Sequence, residues 1–591
     1  MKKFFFLFLL ISSIYNAQYL VQSKYLQNPD LAIPYVDSCA NFWLKAWDKS
    51  LGGFYTNVAK NGDILYSWGS NKDMLTQSRN AYGLVRAFML TGNEEYLTYA
   101  NNALQFMYQH SWDKNYGGWI NSLNISGNPT NANENKTAFY QHYALLGISA
   151  YFEATRDSTT FNWLLKGYQN NEIKLWDNSS NNFGYYDYSN YNWTFHNNKS
   201  FNATVDAITT HLLYLFLMTH DEIYKQKLIS IATNIKAHLI NSMPYQKIGF
   251  AEKYNSNWQI LQNETLTIMG HVLKTSWCLA RMYQLVDSSD YLTNAELLFY
   301  HVISKGYDHK FGGPYKDYNR ITGLMEMWGN PDTAKAWWQM EQAVVAGLQL
   351  YNLTQNDDYL KVADETLDFF MKYFVDHVYG EVYENRTRQG KATWGEHKGN
   401  GAKAAYHSIE LGYYNYIYGN LFIHNRPITL YYLIEPKNFD RTLNLTPLAI
   451  SDHKLKITSV NIDGNEFTDF HDCNINLSSG IGGKFEVTFE MNATHLAENY
   501  IHNNLDFLQI SNYPNPFNSS TNIQYFIPKY GHLQIDIYNS LGEILFNLEN
   551  SNKNSGIYQI HFNANSLSSG IYFCKIQFEK SQKIHKILLL K

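Results

Sequence analysis

The sequence is short of the residues that mark several large classes of protein, and each shortage removes a class. Cysteine occurs four times, at Cys39, Cys278, Cys473 and Cys574, and never as a Cys-x-x-Cys pair. A disulfide scaffold and a thiolate metal or redox motif are both excluded on that ground. No sign of charge dominates. Lys+Arg total 47 against 52 Asp+Glu, a formal net charge of −5, so there is no basic footprint for nucleic acid and no polybasic membrane patch. Phosphate-cradling loops are missing, since neither G-x-x-x-x-G-K-[ST] nor G-x-G-x-x-G after a strand occurs. Beyond Gln18 no apolar run approaches the ~18 residues of a membrane span. The one such run before it, Phe4 to Ile14, follows Met1-Lys2-Lys3 and precedes Asn16-Ala17-Gln18. That order of basic, apolar and small residues predicts a signal peptide over 1–18.

What remains is apolar and aromatic: 45% hydrophobic, with 48 Tyr and 14 Trp in 591 residues. Such a chain folds, into three or four domains at about 150 residues each. Its organisation comes from a repeat. A glycine beside an aromatic, usually a few residues after Asp, recurs at Gly53, Gly118, Gly184, Gly249, Gly313 and Gly380. The intervals are 65, 66, 65, 64 and 67 residues. The fourth copy is the weakest and rests mainly on phase. Helical periodicity follows the glycines, as in Ala81, Leu84, Val85 and Phe88. Sixty-five residues hold two helices of about 15 residues with their loops. Six helix pairs at a period well above the ~34–47 residues of open solenoids predict a closed (α/α)6 toroid over 19–425, with a pit at one end of its axis.

Polar residues fall at one phase of this repeat: Arg79, Gln141, His142, Asn202, Asp206, His271, Glu341, Gln342 and His407. In a ring of equivalent units equal phase means equal height, so those that face inward converge at one end of the axis. Imidazoles titrate near neutrality and suit a base on one face of a carbon and an acid on the other. An arginine can hold the oxygen on which enediolate charge develops. Neither His271 nor His407 has a second histidine at metal-ligand spacing, so no metal or other cofactor is expected.

At these residues the chain resembles the N-acylglucosamine 2-epimerase and cellobiose 2-epimerase family. The likeness rests on Gln77-Ser-Arg79-Asn-Ala-Tyr82, on Gly270-His271 with Thr275-Ser-Trp277, on Trp337-Trp338-Gln-Met-Glu341-Gln342, and on Lys403-Ala-Ala-Tyr406-His407. The resemblance implies an isomerase with His271 and His407 as the acid/base pair and Arg79 on the substrate oxygen. Contacts to a sugar would come from Trp337, Trp338, Glu341, Gln342, Asn202, Asp206, Gln141, His142 and Tyr406. The sequence departs from the family at four points. Lys274 stands where a glutamate orients the first imidazole, Asp206 replaces a third histidine, Ala402 replaces a tryptophan, and Gln342 takes a glutamate's place beside Glu341. The substitution of Asp206 keeps open a glycoside hydrolase with paired carboxylates, Asp206 with Glu341 or Asp73. A glycan-binding protein without turnover is the third reading.

From 426 the periodicity changes to two. Ile428-Thr-Leu-Tyr-Tyr-Leu-Ile and Lys484-Phe-Glu-Val-Thr-Phe predict a small β-sandwich over 426–496, followed by a linker, 497–511. Tyr513-Pro-Asn-Pro-Phe-Asn518, Leu541-Gly542 and Ser569-Gly-Ile-Tyr-Phe573 then resemble the C-terminal sorting domain of type IX secretion, over 512–591. That resemblance implies the secretion machinery as a partner and a location outside the cell or on its surface.

Overall fold

The computed structural model describes residues 19–591 apart from 287, 328, 451–453, 493–508, 514–516, 528–529, 541, 555 and 580. The segment 1–18 predicted as a signal peptide, most of the 497–511 segment predicted as a linker, and Pro514-Asn515-Pro516 and Leu541 of the sorting motif lie outside the described residues.

Helices fill the first two thirds: α1 Lys24–Gln27, α2 Ala32–Leu44, α3 Met74–Thr91, α4 Glu94–His110, α5 Ala138–Thr155, α6 Ser158–Lys174, α7 Phe201–Ala207, α8 Leu213–Thr219, α9 Glu222–Asn234, α10 Met269–Val286, α11 Ser289–Lys305, α12 Trp337–Thr354, α13 Asp357–Tyr373 and α14 Tyr406–Tyr418. A π turn, Ile208–Leu212, joins α7 to α8. The inner ring runs α3, α5, α7–α8, α10, α12, α14, and α14 packs back on α3 to close it. Outside it lie α4, α6, α9, α11, α13 and α2, each against its inner neighbour. This is the (α/α)6 toroid that the repeat predicts.

The sequence sorts inner from outer helices by pattern. Inner α3 is buried from Met74 through Leu90, its polar Gln77, Ser78, Asn80 and Arg86 included, because neighbouring helices pack on every side of it. Outer α13 buries Tyr359, Leu360, Ala363, Leu367 and Phe370 and exposes Lys361, Asp368 and Lys372, an amphipathic stripe at helical spacing. Four of the hairpins turn tightly by one device. Gly92, Arg156, His220 and Gln355 close an inner helix in the left-handed region, with φ of 68°, 55°, 54° and 55°. The next residue, Asn93, Asp157, Asp221 or Asn356, caps the outer helix through its side chain.

At the opposite end the glycine turns are clamped. Asp48, Asp113, Asp177, Asp308 and Asp376 each pair with a buried lysine, Lys72, Lys136, Lys199, Lys335 and Lys398, at 2.6–3.1 Å. Each ammonium also donates to a carbonyl of its turn, that of Gly52, Gly117, Gly184, Gly312 or Gly380. Gly118 shows why these turns need glycine: its φ is 81°, and a Cβ there would lie 2.5 Å from the Trp193 ring. The weak fourth copy has a different lock. Thr267 takes the lysine's place two residues before α10, and the Gly249 N–H donates to His301 Nε2 at 2.8 Å.

Two small all-β units follow. In the first, the strands order as Ile428–Ile434, Gly483–Met491, Leu455–Ile462, Asn465–Phe467, beside a three-stranded sheet Arg441–Asn444, Asn474–Leu477, Phe470–His471. Ile428, Leu430, Tyr432 and Ile434 alternate inward and join the core of the ring. This unit sits across the C-terminal ends of the inner helices. Arg281 of α10 donates to Ala449 O at 2.7 Å, the Leu448 N–H donates to Glu153 of α5 at 2.9 Å, and Tyr431 lies against Gly92. One end of the axis is thereby plugged and the end at the inner-helix N-termini is left open. The last unit has its own core, with Ile523, Ile535, Ile537, Cys574 and Ile587 fully buried. Among the described residues no helix is long and apolar enough to cross a membrane.

Candidate active site

The open end holds a cavity of about 350 Å³ lined by Arg79, Phe139, Tyr140, Tyr143, Asn202, Asp206, His271, Lys274, Trp337, Trp338, Gly401, Ala402 and His407. Most of these occupy the first turns of inner helices, which is how residues far apart in sequence reach one place. The cavity thus gathers both histidines, Arg79, both tryptophans, Asn202 and Asp206 of the sequence-predicted set.

His271 and His407 are held in parallel ways. Nδ1 of His271 lies 2.8 Å from Glu252 Oε2, and Nδ1 of His407 lies 3.2 Å from Glu341 Oε2. An unprotonated carboxyl oxygen accepts, so Nδ1 is assigned as the donor in each ring and Nε2 is the atom left to give or take a proton. Phe201 stacks on the His271 ring at 3.8 Å, and Tyr406 packs on the His407 ring at 3.9 Å. One indole spans the two: the Trp338 ring is 5.3 Å from His271 and 5.9 Å from His407. Gly270 makes room for it, because a Cβ there would come within 2.6 Å of that ring.

Burial, with the nearby cations Arg79, Lys274 and Lys403, pushes His407 well below the usual imidazole range. Its ring is therefore neutral at neutral pH. Behind it, burial raises Glu341 well above the carboxylate range, helped by the adjacent Glu410, and raises Glu410 to about 7. The two carboxyls lie with oxygens within 4.8 Å of each other. Burial and like charge together disfavour ionising both, so the pair shares a proton. Tyr82 donates to Glu410 from the other side. Glu341, His407 and Glu410 also form the one cluster among the described residues whose donor atoms, within 4.8 Å of one another, have metal-ligand spacing. The proton held between the carboxyls would have to leave before such an ion could bind.

Arg79 donates to Ala402 O and stands over the Tyr143 ring at 4.6 Å. Lys274 and Asp206 form an ion pair of 2.6 Å with 3% and 1% of their side chains exposed. Asn202 holds the other Asp206 oxygen at 2.9 Å. Burial pulls the Lys274 ammonium down, but Asp206 outweighs it and the lysine stays charged. Two of the sequence departures thus answer each other: the glutamate-to-lysine and histidine-to-aspartate positions meet as one salt bridge.

Five predicted contacts lie away from the cavity. Gln141 clamps the backbone of Trp119, accepting from its N–H and donating to its carbonyl at 2.8 Å each. His142 is sealed between α5 and α7, 3.2 Å from Ala203 O, and burial drives it down to about 4. Gln342 accepts from Trp277 Nε1 at 2.6 Å. Tyr406 buttresses His407 and Tyr82. Glu341 likewise sits behind His407 and does not face the cavity. Phase in the repeat selects height, and the residues that lock the turns share that height with those that face the axis.

Glu252 is the residue that sequence reasoning passed over. It lies three residues after Gly249, and a signal for it exists. Thr56, Asn121 and Asp187 stand three residues after their own glycines, and each reaches the start of an inner helix with its side chain. Glu252 does the same to the Ile268 N–H at 3.0 Å, and its second oxygen is the one that meets His271.

Known proteins share this architecture. Cellobiose 2-epimerase of Dictyoglomus turgidum is 20% identical over 347 residues, 57% of this chain and 84% of that protein. D-mannose isomerase of Marinomonas mediterranea is 22% identical over 375 residues, 61% and 89%. The solved cellobiose 2-epimerase from Spirochaeta thermophila superposes with a TM-score of 0.58 at 20% identity, over 67% of this chain and 97% of that one. Residues 511–590 match the secretion system C-terminal sorting domain, which marks the chain for export, to be released or held at the cell surface. Residues 53–410, more than half of the chain, match the family described as N-acylglucosamine 2-epimerase (GlcNAc 2-epimerase), and the protein belongs to that family.

Proposed function

We propose that the protein is an exported, cofactor-independent sugar 2-epimerase or aldose–ketose isomerase acting at the reducing end of a mono- or oligosaccharide. The observation that carries this reading is the pair of imidazoles around one cavity, each with Nδ1 tied to a glutamate and Nε2 left to give or take a proton. In the open-chain aldose the C1 carbonyl acidifies the C2–H. Neutral His407 takes that proton through Nε2, and the electron pair moves into a C1–C2 enediolate. Arg79 steadies the oxygen charge. His271, entering as the imidazolium beside Glu252, returns a proton from Nε2 to C2 on the opposite face and gives the C2 epimer; alternatively His407 returns its proton to C1 while the O2 hydroxyl proton passes to O1, which gives the ketose, and exchange with solvent resets both rings. No electrons leave the substrate, so no redox cofactor enters the balance. Trp337 and Trp338 offer apolar faces to the sugar C–H surface. The cavity is at the small end of the ~300–1,000 Å³ range of ligand sites, which suits one sugar unit with the beginning of a second.

The hydrolase reading needs two free carboxyls flanking a glycosidic bond. Asp206 is the one carboxylate lining the cavity, and both its oxygens are committed, to Lys274 and to Asn202. Glu341 sits behind His407. Asp73 is bonded to Asn71 at 2.7 Å and does not line the cavity. Chromatography of mannose, glucose, cellobiose and mannobiose after incubation with the full chain tests the proposal. A C2 epimer or ketose is expected from at least one sugar, lost in both His271→Asn and His407→Asn. New reducing ends from an oligosaccharide, abolished by Asp206→Asn, would instead establish hydrolysis.

A further inference from the structure

A second cavity, of about 490 Å³, opens on the same end of the ring. It lies in the second repeat, between the turn after α4 and the loop that leads into α5. That loop runs straight into Phe139 and Tyr140 of the axial cavity, so the two hollows share one face of the molecule.

Its walls are fixed before any ligand arrives. Asp113, paired with Lys136, accepts from the Asn115 and Tyr116 N–H groups at 2.9 and 3.1 Å. Asn124 holds the facing loop through the N–H groups of Ser126 and Asn128, each at 3.0 Å. Trp193 donates to Tyr116 O at 3.0 Å. Tyr191 comes from the third repeat and meets Tyr116 edge-on at 5.5 Å. Tyr116 is nonetheless 46% exposed, a large apolar ring left open on a rigid frame.

The lining chemistry is specific. Around Trp112, Tyr116 and Tyr191 stand the side-chain amides of Gln109, Asn115, Asn128 and Asn133, none of which hydrogen-bonds to the described chain. Asp113 is neutralised by Lys136, which leaves Lys114 as the only unbalanced charge. Aromatic faces accept the C–H side of a pyranose and amides pair with vicinal hydroxyls. An anion or a drug-like apolar ligand would call for more charge or less polarity than this.

We propose that this groove is a second, non-catalytic glycan site that holds a neutral oligosaccharide of several units beside the axial cavity. It rests on sugar being the ligand class of that cavity, and its test separates the two. Titration calorimetry of the full chain with cellohexaose, mannohexaose and xylohexaose is expected to give at least one ligand with a binding event that the Tyr116→Ala/Tyr191→Ala variant loses or weakens about ten-fold. An Asn128→Ala/Asn133→Ala variant, on exposed positions, is expected to weaken the same event. Turnover of any accepted disaccharide should stay within two-fold in both variants. The proposal falls if no hexasaccharide binds, or if binding is unchanged in both variants. If the variants lose binding while wild type converts no sugar, the groove stands and the axial reading falls.

Discussion

Replacing Asp206 by asparagine should cost more stability than replacing any exposed carboxylate in the chain. The Lys274–Asp206 pair spans 2.6 Å and is almost fully buried. With the carboxylate gone, the ammonium remains in a low-dielectric wall without a countercharge, left with the Tyr143 hydroxyl, 3.2 Å away, and the neutral amide oxygen of the new side chain. Breaking one half of a buried pair costs about 3–5 kcal/mol. For a unit of roughly 400 residues the unfolding entropy is about 0.8 kcal/mol/K, so the midpoint should fall by about 4–6 °C. Lys274→Met alone strands the aspartate, which keeps its Asn202 partner, and should cost somewhat less. In the double variant Asp206→Asn/Lys274→Met both charges leave together, and at least half of the loss should return. Differential scanning calorimetry of the four proteins at pH 7 gives the cycle. A single-variant cost under about 1 kcal/mol, or a double variant as unstable as the sum of the singles, would refute the claim that these two departures from the family compensate each other.

Other consequences follow from the same geometry. Glu252→Gln removes the carboxylate from His271 Nδ1 and should lower kcat by about 10²–10⁴ while KM changes little, by analogy with other imidazole-orienting carboxylates; steady-state kinetics decide it. Because His407 is held below 6.5 in the fold, it stays a competent base as pH drops below 6.5, and the acid limb of kcat/KM should lie below that value. Lys274→Met removes one cause of the depression and should move the limb upward. The same shift makes stability fall as pH drops from about 6.5 toward the folded value, since the unfolded chain binds that proton first; thermal midpoints against pH should show a shallower slope in His407→Asn. Glu410→Gln keeps a donor beside Glu341 and should leave kcat within about three-fold, whereas Glu410→Ala orphans the Tyr82 hydroxyl and should cost about 1–3 kcal/mol in unfolding titrations.

Much of the ring was legible because its turns need glycine. Left-handed backbone and the close approach of Phe106 or Trp193 leave Gly53 and Gly118 no substitute, so the period survives in the sequence. The lysines that clamp these turns were not legible, although they recur. Their offset from the aspartates varies with loop length, and a salt bridge leaves no periodic trace. The fourth copy looked weak for a physical reason: a hydrogen bond from the Gly249 N–H to His301 replaces the ion pair. In the site, the histidines and Arg79 were found because they share a phase. Gln141 and His142 share it too, and they point into the wall. Only side-chain direction separates the two groups, and one-dimensional spacing does not carry it. Lys274 looked like a lost function until Asp206 was seen against it. Glu252 comes from a loop outside the phase, so pairing it with His271 required three dimensions.

The central claim is that two imidazoles exchange the C2 proton of an opened sugar with solvent. Incubating the full chain in deuterated water with mannose, glucose, cellobiose and mannobiose, and reading C2 by NMR and mass spectrometry, tests it directly. The account predicts one deuteron at C2 of the epimer, or at C1 of the ketose, from at least one sugar, with none above background in His271→Asn or His407→Asn. Product formed without solvent deuterium, or deuterium incorporation that survives loss of both imidazoles, would contradict it.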